Sequence, residues 1–192
     1  MAAGTFVAAQ VASYVGVCLA IVAVELALAH RGSGSAAPRA RLTDQVMVLG
    51  TTAALLSGVV AAALRIGWIA PRWPGLIIGV ALGVAGVALR AFAMAALGRY
   101  YALTPQVEKG QRVVTTGPYQ LVRHPGYAGI VLSLLGLQMI TGTWVALLAI
   151  FFVILPLPVR IRIEEQLLLE QLGKRYEDYE RRTRYRLFPG IY

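Results

Sequence analysis

Residues 130–159 read IVLSLLGLQMITGTWVALLAIFFVILPLPV, thirty positions without one charge. A helix that crosses a bilayer needs about 20 predominantly apolar residues, so this block is too long for one straight span. Thr141-Gly142-Thr143 lies in its middle. The block therefore predicts a tight hairpin of two spans, about Tyr127–Ile140 and Trp144–Val159. The first arm is short, and is expected to be tilted, partly inserted or extended at its start.

Working outward toward the N-terminus, three more runs are long and apolar: roughly Thr5–Ala29, Gln45–Leu64 and Gly75–Leu97. Of 192 residues, 58% are hydrophobic and 14% charged, and the mean hydropathy is +0.66. That is far more apolar than a soluble domain. The expected fold is all-α and polytopic, with about five transmembrane helices ending in a helical hairpin. It reads as a single membrane domain over 1–192, with two N-terminal spans in 1–74 and a core in 75–192. The N-terminus lacks a basic region and a small-residue cleavage site, so a removed signal peptide is not expected. Cys18 is the one cysteine, which excludes an internal disulfide and a Cys-based metal cluster.

The net charge of +9 invites a nucleic-acid reading, and its distribution argues otherwise. With five spans, 15 of the 18 Lys and Arg fall on one side: Arg31, Arg39 and Arg41, then Arg99, Lys109, Arg112 and Arg123, then eight from Arg160 to Arg186. The other side receives Arg65 and Arg72. This is the positive-inside bias, which puts those loops and the tail in the cytoplasm and the N-terminus outside. Arg90 falls within the third span; it is expected to snorkel toward the cytoplasmic side or to line a cavity. The segment Arg31–Thr43, RGSGSAAPRARLT, reads as a flexible loop. Gly79 and Gly83 read as a helix-packing face rather than a nucleotide fingerprint, because no strand precedes them.

Polar chemistry is confined to Gly98–Tyr127 and Arg160–Tyr192. In the first region Thr116-Gly117-Pro118-Tyr119 is a turn signal, and His124 before Pro125 is pushed out of helical geometry. An interfacial loop of Tyr and Arg at the headgroups is the plain reading, and a ligand cradle is the alternative. In the second, Arg160 and Glu164 share one helix face. An intrahelical ion pair in that order is worth only about 0.2–0.5 kcal/mol, whereas a zwitterionic ligand would satisfy both charges beside a membrane. Leu168, Leu172, Tyr176 and Tyr179 continue at helical spacing, as an apolar packing face.

The sequences TTGPYQLVRHPGYAG (115–129) and RIRIEEQLLLEQLGKRYEDY (160–179) together resemble the isoprenylcysteine carboxyl methyltransferase family. These are integral membrane enzymes that use S-adenosyl-L-methionine, with related phospholipid methyltransferases among them. The likeness runs from Arg90 to the end. It implies a cytoplasmic cofactor-binding loop and tail. The family's cofactor glutamine matches Gln106, at a spacing about two residues shorter. The segment before the turn matches Gln111, Arg112, Val113 and Val114; many members carry His at the first of these, so backbone contacts are expected to matter most there. The turn tyrosine matches Tyr119, and the His-Pro-x-Tyr segment matches His124, Pro125, Gly126 and Tyr127. Glu164 matches the glutamate at the cofactor's amino-acid end, with Glu165 completing the acidic pair. Arg160 matches an arginine near the acceptor, so Arg160 and Glu164 are the implied catalytic pair.

The chemistry implied is methyl transfer to a lipophilic acceptor, most simply a carboxylate, which has no proton to lose. Neither metal nor triad is then required; reactants need holding at near-attack distance and shielding from water. Expected partners are the acceptor and membrane lipids, with no nucleic acid. A small, Ala- and Gly-rich chain of this kind reads as a bacterial inner-membrane protein with its site on the cytoplasmic side. Phospholipid or phenolic-lipid methylation, an NADPH-dependent sterol-type reductase and a catalytically silent membrane protein are the competing readings.

Overall fold

The computed structural model describes residues 2–29, 38–64, 66–67, 72–100 and 112–191. Four long helices come first: α1 (Ala2–Ala29), α2 (Pro38–Ala63), α3 (Arg72–Leu97) and α4 (Pro125–Thr141). Three shorter ones, α5 (Trp144–Leu148), α6 (Phe151–Ile154) and α7 (Leu157–Leu172), follow as an interrupted rod, and α8 (Lys174–Arg182) ends the series. Gly4–Ala27, Trp73–Leu97 and Trp144–Leu172 are long and apolar enough to cross a membrane, and Gln45–Ala61 and Pro125–Thr141 are shorter apolar helices. The chain is an integral, multi-pass, helical membrane protein.

The hairpin forms where the sequence places it. Gly142 closes α4 in the left-handed conformation, at φ 67°, which costs glycine nothing. Thr143 then caps α5 by accepting from the Ala146 amide at 3.3 Å. The short first arm has a structural reason. Helix α4 is the centre of the bundle, with Leu134, Leu137 and Ile140 almost fully buried, so its apolar residues meet protein on all sides. The second arm breaks around Pro156 and Pro158, whose missing amides cannot continue a helical ladder.

Glycines set the closest helix contact. A Cβ on Gly136 would lie 2.2 Å from the Gly83 amide nitrogen, and one on Gly86 would lie 2.3 Å from that of Ser133. Only residues without side chains let α3 and α4 touch backbone to backbone, the small-residue packing of membrane helices. The expected packing role of Gly79 and Gly83 holds: a Cβ on Gly79 would meet the Gly136 carbonyl at 2.8 Å. Outside this seam Val11, Val15, Leu56, Val59, Ile77, Val84, Phe151 and Phe152 are exposed, a lipid-facing coat.

Two ends of the bundle follow. The Phe6 and Trp73 rings meet edge to face at 5.0 Å, so α1 and α3 start at one end, near the Gly142 turn and Gly67, whose carbonyl accepts from Trp144 at 3.0 Å. The loop before α4, the end of α7 and α8 gather at the other. Two expectations need correction. Helix α2 begins at Pro38 rather than near Gln45, which moves residues 38–43 out of the expected loop; residues 30–37 lie outside the described residues. The run through Tyr179 is not one helix, because Gly173, at φ 53°, separates α7 from α8.

Candidate active site

The site is built where the start of α4 meets α7. Proline at the first position of α4 suits a helix start, since its missing amide has no partner there in any case. His124, just before it, has φ −125° and ψ 59°, outside the helical region. That geometry throws the imidazole sideways toward α7. Three residues on, Tyr127 lies one helical turn along, and the two rings stack 5.8 Å apart.

Helix α7 supplies the charges. Tyr127 is the link: its hydroxyl accepts from Arg160 Nε at 2.7 Å and donates to Glu164 Oε2 at 2.8 Å. The Arg160 guanidinium also lies over the Tyr127 ring, 5.6 Å from its centroid. Arg160 is 3% exposed, while the Glu164 side chain retains 31%. Thus the cation is enclosed and the carboxylate opens outward.

Glu165 faces the other way and is buried. His124 Nε2 lies 3.2 Å from its Oε1; because an ionised carboxylate only accepts, Nε2 is the donor in that pair. Arg186 donates through Nε at 3.0 Å to Oε2, and Arg123 Nε is 3.3 Å from Oε1. Arg123 also pairs with Glu180 of α8. The backbone repeats the tie: the Arg123 and His124 amides donate to the Tyr185 and Arg186 carbonyls at 2.9 and 2.8 Å. Glu165 is therefore the buried knot that straps the C-terminal segment across the loop.

The turn itself is a short 3-10 helix over Gly117–Gln120, entered with Gly117 at φ 60°. Tyr119 is buried in a cluster with Ala93, Met94, Tyr176 and Tyr179, against which Val113, Val114, Leu168 and Leu172 pack. The Tyr179 hydroxyl donates to the Tyr119 carbonyl at 2.8 Å. Burial pushes the Tyr179 phenol up to about 12, and burial followed by the Glu165 and Glu164 charges pushes Tyr176 up as well. Both stay neutral at ordinary pH.

The structure thus brings together His124, Pro125, Gly126, Tyr127, Arg160 and Glu164. Tyr119, Val113 and Val114 adjoin them through the aromatic cluster, and Arg112 is exposed. Gln106 and Gln111 lie outside the described residues. Arg90 departs from the snorkelling expectation. It is buried, pairs with Glu25 of α1 at 2.7 Å, and donates to the Gly126 carbonyl at 2.9 Å. Sequence reasoning missed Glu25, Arg186, Glu180 and the structural weight of Glu165. Glu25 had a signal: it is the lone acid in the first span, as Arg90 is the lone base in the third.

Residues 78–170 match the profile of the isoprenylcysteine carboxyl methyltransferase (ICMT) family. A probable protein-S-isoprenylcysteine O-methyltransferase of Oryza sativa subsp. indica is 26% identical over 161 residues, covering 82% of this chain and 84% of that protein. The nickel-cobalt-cadmium resistance protein NccN of Alcaligenes xylosoxydans xylosoxydans is 36% identical over 115 residues, covering 58% and 52%. Among solved structures, the eukaryotic intramembrane Ras methyltransferase ICMT superposes with a TM-score of 0.59 at 25% identity, covering 75% of this chain and 52% of that one. This chain spans about half the length of those last two proteins. The profile match contains the turn, the His-Pro-x-Tyr segment and the Arg160–Glu165 helix; over those residues the chain is similar to the ICMT family of membrane methyltransferases.

Proposed function

We propose that the protein transfers a methyl group from S-adenosyl-L-methionine to a lipophilic acceptor, most simply a carboxylate such as that of an isoprenylcysteine-like acid. The observation that carries this reading is the Arg160–Tyr127–Glu164 relay. It sets an enclosed cation and a half-open carboxylate side by side, where apolar spans meet the polar tail.

The residues fit the cofactor. Its amino-acid end is zwitterionic, and Glu164 offers an outward carboxylate for the ammonium, already oriented by Tyr127. Val113 and Val114 give a half-buried apolar edge with backbone groups beside it. When bound, the cofactor supplies an activated sulfonium methyl. The protein's share is placement. Glu164 and the His124–Tyr127 turn orient the donor, and Arg160 holds an anionic acceptor in reach. The aromatic cluster around Tyr119 and the strap at Glu165 keep water from that side.

A carboxylate acceptor is favoured because Arg160 is an enclosed cation, and nothing in the relay needs to remove a proton. The lipid-facing coat lets such an acceptor arrive from the bilayer. The bias of Lys and Arg supports a cytoplasmic setting for this end of the bundle, within reach of a soluble cofactor, and the expected setting is a bacterial inner membrane. Mass spectrometry of lipid extracts incubated with purified protein and methyl-labelled S-adenosylmethionine tests the reading. It predicts label in a lipophilic acid; label confined to phospholipid amines would replace the acceptor class, and none at all would reject the activity.

A further inference from the structure

Two lone charges sit inside the spans, and the structure joins them. Arg90 is 8% exposed. Its Nη2 is 2.7 Å from Glu25 Oε1, and its Nη1 donates to the Gly126 carbonyl at 2.9 Å. A Cβ on Gly129 would lie 2.8 Å from the Arg90 amide nitrogen, so α3 and α4 are in backbone contact at this level. The guanidinium is fixed between three helices rather than reaching for water.

We infer that Glu25 and Arg90 are positioning residues for methyl transfer: through the Gly126 carbonyl they set the His124–Tyr127 turn, and so make α1 part of the active site. This rests on the methyltransferase reading of that turn. Gly126 lies between the two residues whose side chains reach Glu165 and Glu164. A charged donor on its carbonyl fixes where the first turn of α4 sits, and with it both contacts. Glu25 neutralises a cation that would otherwise be costly at this depth, and it orients the fork so that the second arm points at α4. The family match begins at residue 78, so α1 lies outside it; the Glu25 contact gives that helix a task.

The test is titration of S-adenosylhomocysteine into wild type, Arg90→Lys, Glu25→Gln and the double variant, with gel filtration and melting as fold controls. An ammonium is a point charge and cannot reproduce the two-armed fork. Arg90→Lys should weaken binding about tenfold, the equivalent of ~1.4 kcal/mol. Glu25→Gln should weaken it about threefold to fivefold, and the double variant should be no worse than Arg90→Lys, because both act through one bond. Folded variants that bind like wild type would overturn the inference, as would additive losses, which would mean Glu25 acts on its own. If Arg90→Lys fails to fold, Glu25→Gln decides alone: weaker binding supports the inference and unchanged binding overturns it. Wild type that binds no S-adenosylhomocysteine defeats the cofactor reading itself, a different failure.

Discussion

Adjacent glutamates on α7 should fail in opposite ways. Glu164 opens outward and holds the Tyr127 hydroxyl at 2.8 Å; Glu165 is buried among His124, Arg123 and Arg186. Glu164→Gln keeps an oxygen for Tyr127 and removes the charge offered to the cofactor's ammonium. Losing one partner of a buried charged pair costs about 2–5 kcal/mol. The Glu164 side chain is 31% exposed, so solvent screens part of this. About 1.5–3 kcal/mol remains, roughly tenfold to 150-fold in Kd. Its melting temperature should barely move. Glu165→Gln instead leaves two guanidinium groups around a neutral amide, and breaking such a buried cluster costs about 3 kcal/mol or more of stability. Calorimetric titration of S-adenosylhomocysteine, beside thermal melting in detergent, reads both axes. A folded Glu164→Gln with wild-type affinity would refute the assignment. Equal losses in both variants would make the pair one structural cluster.

Arg160→Met should keep cofactor affinity within about threefold while turnover falls about tenfold or more, the split expected of a residue that faces the acceptor; equal losses in both would move it to the donor side. Gly136→Ala should reduce the yield of folded protein sharply, since its Cβ would lie 2.2 Å from the Gly83 nitrogen and overpacking costs about 1–3 kcal/mol or more. Gly16→Ala, with nothing within 4 Å, should be nearly silent in the same expression assay. In alkali, a phenol held at about 12 in the folded state and near 10 when unfolded stabilises fully below pH ~10 and loses that contribution as pH rises toward 12. Melting followed over that window should fall for wild type by about 2–3 kcal/mol more than for Tyr179→Phe. Cysteine labelling at Ser35, Trp73 and the tail should place Ser35 with the tail and Trp73 opposite; Ser35 and the tail on opposite faces would break the five-span topology.

The spans were legible because apolar length is a local property, and Thr141-Gly142-Thr143 marked the hairpin by chemistry that does not depend on neighbours. The seam of α3 and α4 was half legible: Gly79 and Gly83 announce a packing face, but not that Gly136 meets them or that Gly129 meets Gly86 and Arg90 further along. Arg160 and Glu164 stood out through helical spacing and His124 through the proline that follows it, whereas Tyr127 was reached through the family resemblance. What stayed hidden is carried by pairs far apart in sequence. Glu165 is one step from Glu164 and so faces another way, which no motif states; its partner Arg186 lies beyond two helix breaks. Helical periodicity also ran past Gly173 without registering that one residue with positive φ turns the chain there.

The most direct test supplies an isoprenylcysteine with its amine acetylated, together with methyl-labelled S-adenosylmethionine, to the purified protein in lipid nanodiscs. Blocking the amine leaves the carboxylate as the acceptor that the enclosed Arg160 is placed to hold. The account predicts label in the lipid product that mild alkali releases as methanol, the behaviour of a methyl ester, and its loss in Glu164→Gln at limiting cofactor. No transfer, or label that survives alkali, would contradict it.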